Sequence, residues 1–260
     1  MGKKQLYVTK IYDNLYALDE AHQSCGFLVI GEEKACLIDT MFGNCYNFED
    51  IRKITDKPVF VINTHGHGDH VFGNIHFEKA YIHPDDLEEA KSFLKHARLI
   101  YPSRWFNSKC ASFEMIKEGD KINIGGLDLE IYDLPGHTKG GIVILCPQLR
   151  VLFSGDGINH HLWMWLKGCV PVSEMRDNLK KLLPLKDRAD YILHGHSSEL
   201  NDISLMGAVI EGADEIARGD TKDDAVIKLR GTKINRHTFK VPEGGKFNSE
   251  EHFIFYPYKK

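Results

Sequence analysis

The first third of the chain is dominated by short apolar runs that are separated by turn-forming residues. Apolar and polar positions alternate over residues 6–11 and 15–19, and Tyr12-Asp13-Asn14 between them is a turn signal, so this segment predicts a β-hairpin. The continuous apolar runs that follow are bounded by Gly, Asp or Pro and are typical of buried strands with helices on their outer faces. These predicted strands cover residues 26–30, 35–39 and 59–63, with a helix over 47–55.

The pattern then changes to helical spacing. Pro84-Asp85-Asp86 places proline and two acids where a helix begins, and the apolar residues Leu87, Ala90, Phe93 and Leu94 recur at helical intervals. A helix is therefore predicted from this point to about residue 96.

A second β-rich stretch resembles the first in architecture but not in sequence. Gly125-Gly126 is predicted to form the turn of a hairpin. A helix, a strand and a longer helix complete the alternation. The predicted strands are 121–124, 127–134, 141–145, 151–154 and 191–194, and the predicted helices are 173–183 and 203–218.

Two β-rich halves that each carry helices predict a fold of the α/β class. The expected architecture is two mixed sheets packed face to face with helices outside, a four-layered αββα sandwich. A chain of 260 residues with 42% hydrophobic content is large enough to bury one sizeable core, so we expect a single domain over residues 1–260. Residues 203–260 then form a C-terminal region of helix and strand.

The net charge, the apolar runs and the cysteine pattern limit the partners and the cellular compartment that we expect. The formal net charge is −4, and Lys and Arg are scattered along the chain, so no nucleic-acid partner is expected. We expect neither a signal peptide nor a membrane span, because no apolar run has the required length. Six cysteines without a C-x-x-C pair suit reduced thiols, which favours a cytoplasmic protein. The oligomeric state is left open, a homodimer included.

One short segment carries most of the chemistry. Thr64-His65-Gly66-His67-Gly68-Asp69-His70 holds three imidazoles and one carboxylate within six residues, which must repel one another when charged or share metal ions. Gly66 and Gly68 keep the loop free of side-chain clashes and allow unusual backbone dihedral angles, so the alternating His65 and His67 can point one way. Asp69 and His70 can then bind a neighbouring ion.

Four further residues have ligand chemistry and lie where a predicted strand ends. Strand ends are where scaffolds place functional side chains. Imidazole and carboxylate ligands with no thiolate nearby suit a catalytic zinc site, and would also accept iron or manganese. These residues are Asp39, His137, Asp156 and His196.

Together these motifs resemble those of the metallo-β-lactamase superfamily, in the usual order and at roughly the usual separations, over nearly the whole chain. The resemblance implies the αββα sandwich with a site on one edge between the sheets, and it implies two divalent metal ions. It assigns a first ion to His65, His67 and His137, a second ion to Asp69, His70 and His196, a bridging carboxylate to Asp156, and a role in orienting the ligands to Asp39.

Two bridged ions would lower the pKa of a shared water, so the resemblance implies a hydroxide that attacks the carbonyl of a small-molecule thioester, lactone or other ester. Asp156 and Asp69 are the catalytic candidates, the latter as a proton carrier. The intact ligand set is similar to the glyoxalase II and lactonase branches, although no basic cluster for glutathione stands out. A phosphodiesterase, a di-iron redox protein and a non-catalytic metal-binding module remain alternatives.

Five residues near the proposed ligands are candidate substrate contacts. The tryptophans either line an apolar pocket or pack in the core, and the histidines and the lysine either touch substrate or are solvated. Two segments, 93–113 and 157–170, either cover the substrate or are outer helix and loop. The five residues are Lys139, His160, His161, Trp163 and Trp165.

Overall fold

The computed structural model describes residues 5–100, 112–247 and 249–258. The strands in these ranges are, in chain order, β1 Leu6–Tyr12, β2 Leu15–Glu20, β3 Ser24–Ile30, β4 Ala35–Ile38, β5 Val59–Ile62, β6 Lys79–Ile82, β7 Ser112–Met115, β8 Lys121–Asn123, β9 Asp128–Asp133, β10 Ile142–Cys146, β11 Val151–Gly155, β12 His161–Trp163, β13 Tyr191–His194, β14 Asn201–Asp202, β15 Ala225–Leu229, β16 Thr232–Thr238 and β17 Phe253–Pro257.

The helices alternate with these strands. Within the described ranges, none of them is long and apolar enough to cross a membrane. The α-helices are α1 Phe48–Arg52, α2 Gly68–Val71, α3 Leu87–Ile100, α4 Val172–Lys181 and α5 Leu205–Arg218, and 3₁₀ turns cover Phe72–His76, Pro84–Asp86 and Leu183–Asp187.

The first sheet contains β1 to β7 in the order of the chain. Its first four strands run antiparallel, and β4 to β7 run parallel. The predicted hairpin and the three predicted buried strands all lie here and are confirmed. The sequence did not predict β6 and β7, because four residues of mixed polarity are too few to show a period.

The second sheet has the order β14-β13-β11-β10-β9-β8, and the predicted strands of the second half are confirmed in it. Gly125 and Gly126 form the predicted hairpin turn with φ of +91° and +76°. These left-handed angles favour glycine, which has no side chain to clash. The second sheet contains one parallel pair, β11 with β13.

The two sheets pack face to face around an apolar core, where Phe27 of the first sheet meets Phe153 of the second with ring centroids 5.6 Å apart. Helices cover the outer faces. Met175 of α4 and Val209 of α5 pack against the second sheet, and Ile51 of α1 packs against the first. This is the predicted αββα sandwich.

A third sheet with the order β12-β17-β16-β15 was not predicted. It joins β12 to the C-terminal strands, with Trp163 opposite Phe255 in a parallel pair. Because Gly212 of α5 has no side chain, Phe239 and Ile254 can approach the helix closely. The third sheet therefore packs tightly against α5. The pairing unites segments far apart in the chain, and for that reason no local pattern reveals it.

The strand directions determine where the candidate ligands lie. In the first sheet, β4 and β5 are parallel, and in the second sheet β11 and β13 are parallel. Side chains that follow the carboxyl ends of parallel neighbours share one edge of a sheet. The loops after these four strands carry the candidate ligands other than His137, which follows β9.

Candidate metal centre

Seven side chains, which follow the ends of four strands, converge at this edge. The imidazoles of His67 and His137 face each other with Nδ1 2.9 Å from Nε2, and the Nε2 of His196 lies 3.0 Å from Oδ2 of Asp156. Among the residues that the structure describes, three groups, each with ligand atoms within 4.8 Å of one another, could hold a metal ion. They are His65, His67 and His137; His65, His70 and Asp156; and Asp69, His70 and His196.

The glycines of the histidine-rich loop are required by close packing and not by unusual dihedral angles. Neither Gly66 nor Gly68 has a positive φ, which corrects the expectation from the sequence. A Cβ on Gly66 would lie 2.7 Å from the carbonyl oxygen of Asp86, and one on Gly68 would lie 2.5 Å from the ring of Phe72. The loop therefore has no room for a side chain at Gly66, and one at Gly68 would have to displace the ring of Phe72.

The outer nitrogens of four imidazoles are engaged by their surroundings. The contacts of these Nδ1 atoms turn each Nε2 toward the centre of the site, as ligating histidines require. The distances are 3.1 Å from His65 to Thr64 Oγ1, 2.8 Å from His70 to Asp39 Oδ2, 2.7 Å from His137 to the carbonyl oxygen of Trp163, and 2.9 Å from His196 to the carbonyl oxygen of Gln23.

Asp39 lies beneath the ligands and not among them. Its carboxylate accepts hydrogen bonds from the backbone N–H and the hydroxyl of Thr64, at 2.8 and 2.7 Å, in addition to its contact with His70. The backbone of Asp39 is left-handed, with φ of +60°, a strained conformation that aspartate tolerates better than most residues. These contacts fit a role in orienting His70.

A second buried carboxylate, Asp86, was missed by the sequence reasoning, which treated it only as an acid at a helix start. It accepts hydrogen bonds from Gly66 N at 2.9 Å, Thr138 Oγ1 at 2.6 Å and Gly140 N at 2.7 Å. Burial raises its pKa despite these three donors. Asp86 thus ties the histidine-rich loop to the loop that carries His137.

Burial and charge divide the histidines of the site into two kinds. Burial lowers the pKa of His137 to about 4 and that of His65 well below its usual value. Burial also opposes the charged form of His196, but the carboxylate of Asp156 outweighs it and raises the pKa of His196 to about 9. Neutral imidazoles thus lie beside a charged pair of imidazole and carboxylate.

Three buried atoms at the centre of the site have no hydrogen-bond partner among the described residues: His65 Nε2, His70 Nε2 and Asp156 Oδ1. Buried polar atoms are rarely left in this state. Gly195 preserves the space around them, since a Cβ there would lie 2.4 Å from His70 and 2.8 Å from Asp156 Oδ1. Converging nitrogen and oxygen donors of this kind fit a divalent metal.

Among the other predicted site residues, Asp69 is half-buried, and its Oδ2 lies 3.8 Å from His196 Nε2. His160 is buried, with its ring nitrogens 2.8 Å from Asn201 Oδ1 and 2.7 Å from His252 Nδ1, which favours a structural role. Lys139 is exposed.

The segment 157–170 borders the site through its backbone, since the carbonyl oxygen of Trp163 lies 2.7 Å from His137 Nδ1. Trp163 and Trp165 are half-buried with ring centroids 5.7 Å apart, and His161 is exposed and stacks on Phe253. In the other segment that could cover the substrate, 93–113, the ring of Phe93 contacts the ring of His67, with centroids 5.7 Å apart. Residues 101–111 lie outside the described residues.

The chain is similar in sequence to known proteins. The family model described as the metallo-beta-lactamase superfamily matches residues 18–196. The chain is 29% identical over 164 residues to the acyl-coenzyme A thioesterase MBLAC2 of Gallus gallus, covering 54% of this chain and 57% of that protein. It is 30% identical over 160 residues to the hydroxyacylglutathione hydrolase of Rhodopseudomonas palustris (strain HaA2), covering 59% of this chain and 52% of that protein. The chain thus spans little more than half of each relative.

A solved structure shows the same fold. The metallo-beta-lactamase from Pontibacter korlensis matches with a TM-score of 0.62 at 21% identity, covering 81% of this chain and 99% of that one.

Proposed function

The chain belongs to the metallo-beta-lactamase superfamily, and from this premise we propose that it is a metal-dependent hydrolase of small-molecule thioesters. The observation that carries the proposal is that three buried ligand atoms, on His65, His70 and Asp156, lie close together without a hydrogen-bond partner among the described residues. Two relatives support the choice of bond, because their names describe removal of an acyl group from coenzyme A and from glutathione.

We propose two metal ions, with zinc first and iron or manganese as alternatives. His65, His67 and His137 hold one, Asp69, His70 and His196 hold the other, and Asp156 lies between the two groups. When bound, such ions supply a water of lowered pKa and polarise the carbonyl of the substrate.

The protein's own groups do the remaining work. Asp39 fixes the ring of His70, and the buried loops exclude bulk water from the donors. Asp69 lies on the open side of the site, where its half-buried carboxylate can take a proton and pass it to solvent. The thiolate of a thioester is a good leaving group and needs little help from an acid.

The function is tested with the purified chain and a panel of acyl-coenzyme A thioesters, acylglutathiones, lactones, β-lactams and phosphodiesters. We expect thioester cleavage that a chelator abolishes and zinc restores, with two metals bound per chain. Preferential cleavage of lactones would change the proposed substrate class from thioesters to lactones. Two bound metals without cleavage of any ester would contradict the proposal and favour redox chemistry or a binding role.

Trp163 is expected to bind substrate through its ring. The Trp163→Ala variant keeps the backbone carbonyl that accepts the proton of His137 Nδ1, so metal content should not change. Loss of the half-buried indole, which lies under the guanidinium of Arg230 at 4.8 Å, should raise KM roughly tenfold with kcat nearly constant.

The matched control is Tyr191→Ala, which removes a half-buried ring at the opposite end of β13 from His194. An unchanged KM in the Trp163 variant, or an equal increase in the Tyr191 variant, would contradict a substrate contact.

A further inference from the structure

Helix α3 brings a carboxylate to one of the candidate metal ligands. Oε1 of Glu89 lies 3.5 Å from Nε2 of His67, and the Glu89 side chain is only 30% exposed. The preceding residue, Glu88, behaves as a typical surface glutamate. Its side chain is 83% exposed and pairs with Lys91 at 2.8 Å. Glu89 therefore turns toward the site while its neighbour turns to solvent.

His67 is oriented differently from the other four imidazoles. Its Nδ1 faces Nε2 of His137 at 2.9 Å, so Nδ1 is its inner nitrogen and Nε2 its outer one. Two imidazole lone pairs at this distance repel unless a proton or a cation lies between them. With a cation between them, Nδ1 must be bare, and the proton of His67 must be on Nε2, which faces Glu89.

The same helix also braces the ring sterically. Phe93 follows Glu89 by four residues, and residues at this spacing share one face of a helix. Its ring packs edge-on against His67, with centroids 5.7 Å apart. The helix thus supplies a carboxylate for the outer nitrogen and an aromatic wall for the ring.

We propose that Glu89 is a positioning residue for the first metal. Its carboxylate accepts the Nε2 proton of His67 and holds the ring in the form whose Nδ1 lone pair is directed at the ion. The inference rests on the metal binding in the proposed function but not on the substrate, because Glu89 acts through His67.

The test measures metal affinity and the state of the His67 ring in the full chain. Zinc affinity is measured by competition with a chelator in Glu89→Ala, Glu89→Gln and the control Glu88→Ala. We expect Glu89→Ala to lose roughly 10- to 100-fold in affinity for one zinc, the usual effect of removing such a partner. Glu89→Gln keeps an acceptor oxygen at the same place and should recover part of the loss, and Glu88→Ala should match the native chain.

Nitrogen-edited NMR of the zinc-loaded chain gives a readout that general destabilisation would not produce. The Nε2 proton of His67 should exchange slowly with water in the native chain and quickly in Glu89→Ala, with the other imidazole protons unchanged. Unchanged affinity and exchange would overturn the proposal. If Glu89→Ala does not fold, the isosteric Glu89→Gln decides by the same two measurements. Absence of thioester cleavage in the native chain would defeat the proposed function alone, since neither measurement uses a substrate.

Discussion

Replacement of Asp156 by alanine is expected to remove nearly all hydrolytic activity. Its Oδ2 lies 3.0 Å from His196 Nε2 and 3.6 Å from His137 Nε2, and its Oδ1 lies 3.6 Å from His70 Nε2. This carboxylate therefore reaches imidazoles of both proposed metal groups. We expect kcat/KM to fall by about a thousandfold or more and the second metal to be bound weakly. Steady-state kinetics and metal analysis of the purified variant measure both effects.

Asp190→Asn is the control, because Asp190 is an exposed partner of Arg150 outside the site. Its activity and metal content should equal those of the native chain. Asp156→Asn keeps the shape of the side chain and removes its charge. If the site requires the charge, this variant should lose nearly as much activity as Asp156→Ala. Full activity in Asp156→Ala would exclude the two-metal arrangement.

The sequence predicted the position of the candidate ligands because each of them follows the end of a strand. Strands such as β4 and β11 are continuous apolar runs, and a ligand residue directly after such a run is conspicuous. Local patterns therefore predicted the sandwich, whereas the position of the site on one edge between the sheets was implied by the resemblance to the metallo-β-lactamase superfamily.

The supporting carboxylates could not be predicted in the same way. Asp86 and Glu89 lie in an acidic helix start, where such residues are common for reasons of capping alone. Their partners are distant in sequence, 20, 52 and 54 residues from Asp86, and depend on how α3 packs against two loops. The third sheet was not predicted for the same reason, because β12 pairs with β17, a strand far from it in the chain.

The dependence of the site on that packing can be tested at Asp86. Replacement by alanine leaves the backbone N–H groups of Gly66 and Gly140 and the hydroxyl of Thr138 without their acceptor. Buried donors without partners are costly, and we expect the free energy of unfolding to fall by about 4 kcal/mol. In a chain of this size, this corresponds to a decrease of about 10 °C in Tm.

The same change should weaken metal binding, because Asp86 joins the loop of His65 and His67 to that of His137. Calorimetric unfolding and zinc competition measure the two effects on one sample. Asp85→Ala is the matched control, since Asp85 is the adjacent acid with a side chain that is 67% exposed, and it should change neither quantity appreciably. If Asp86→Ala lost stability but bound zinc normally, the loops would hold their ligands without this carboxylate, and its role would be confined to the fold.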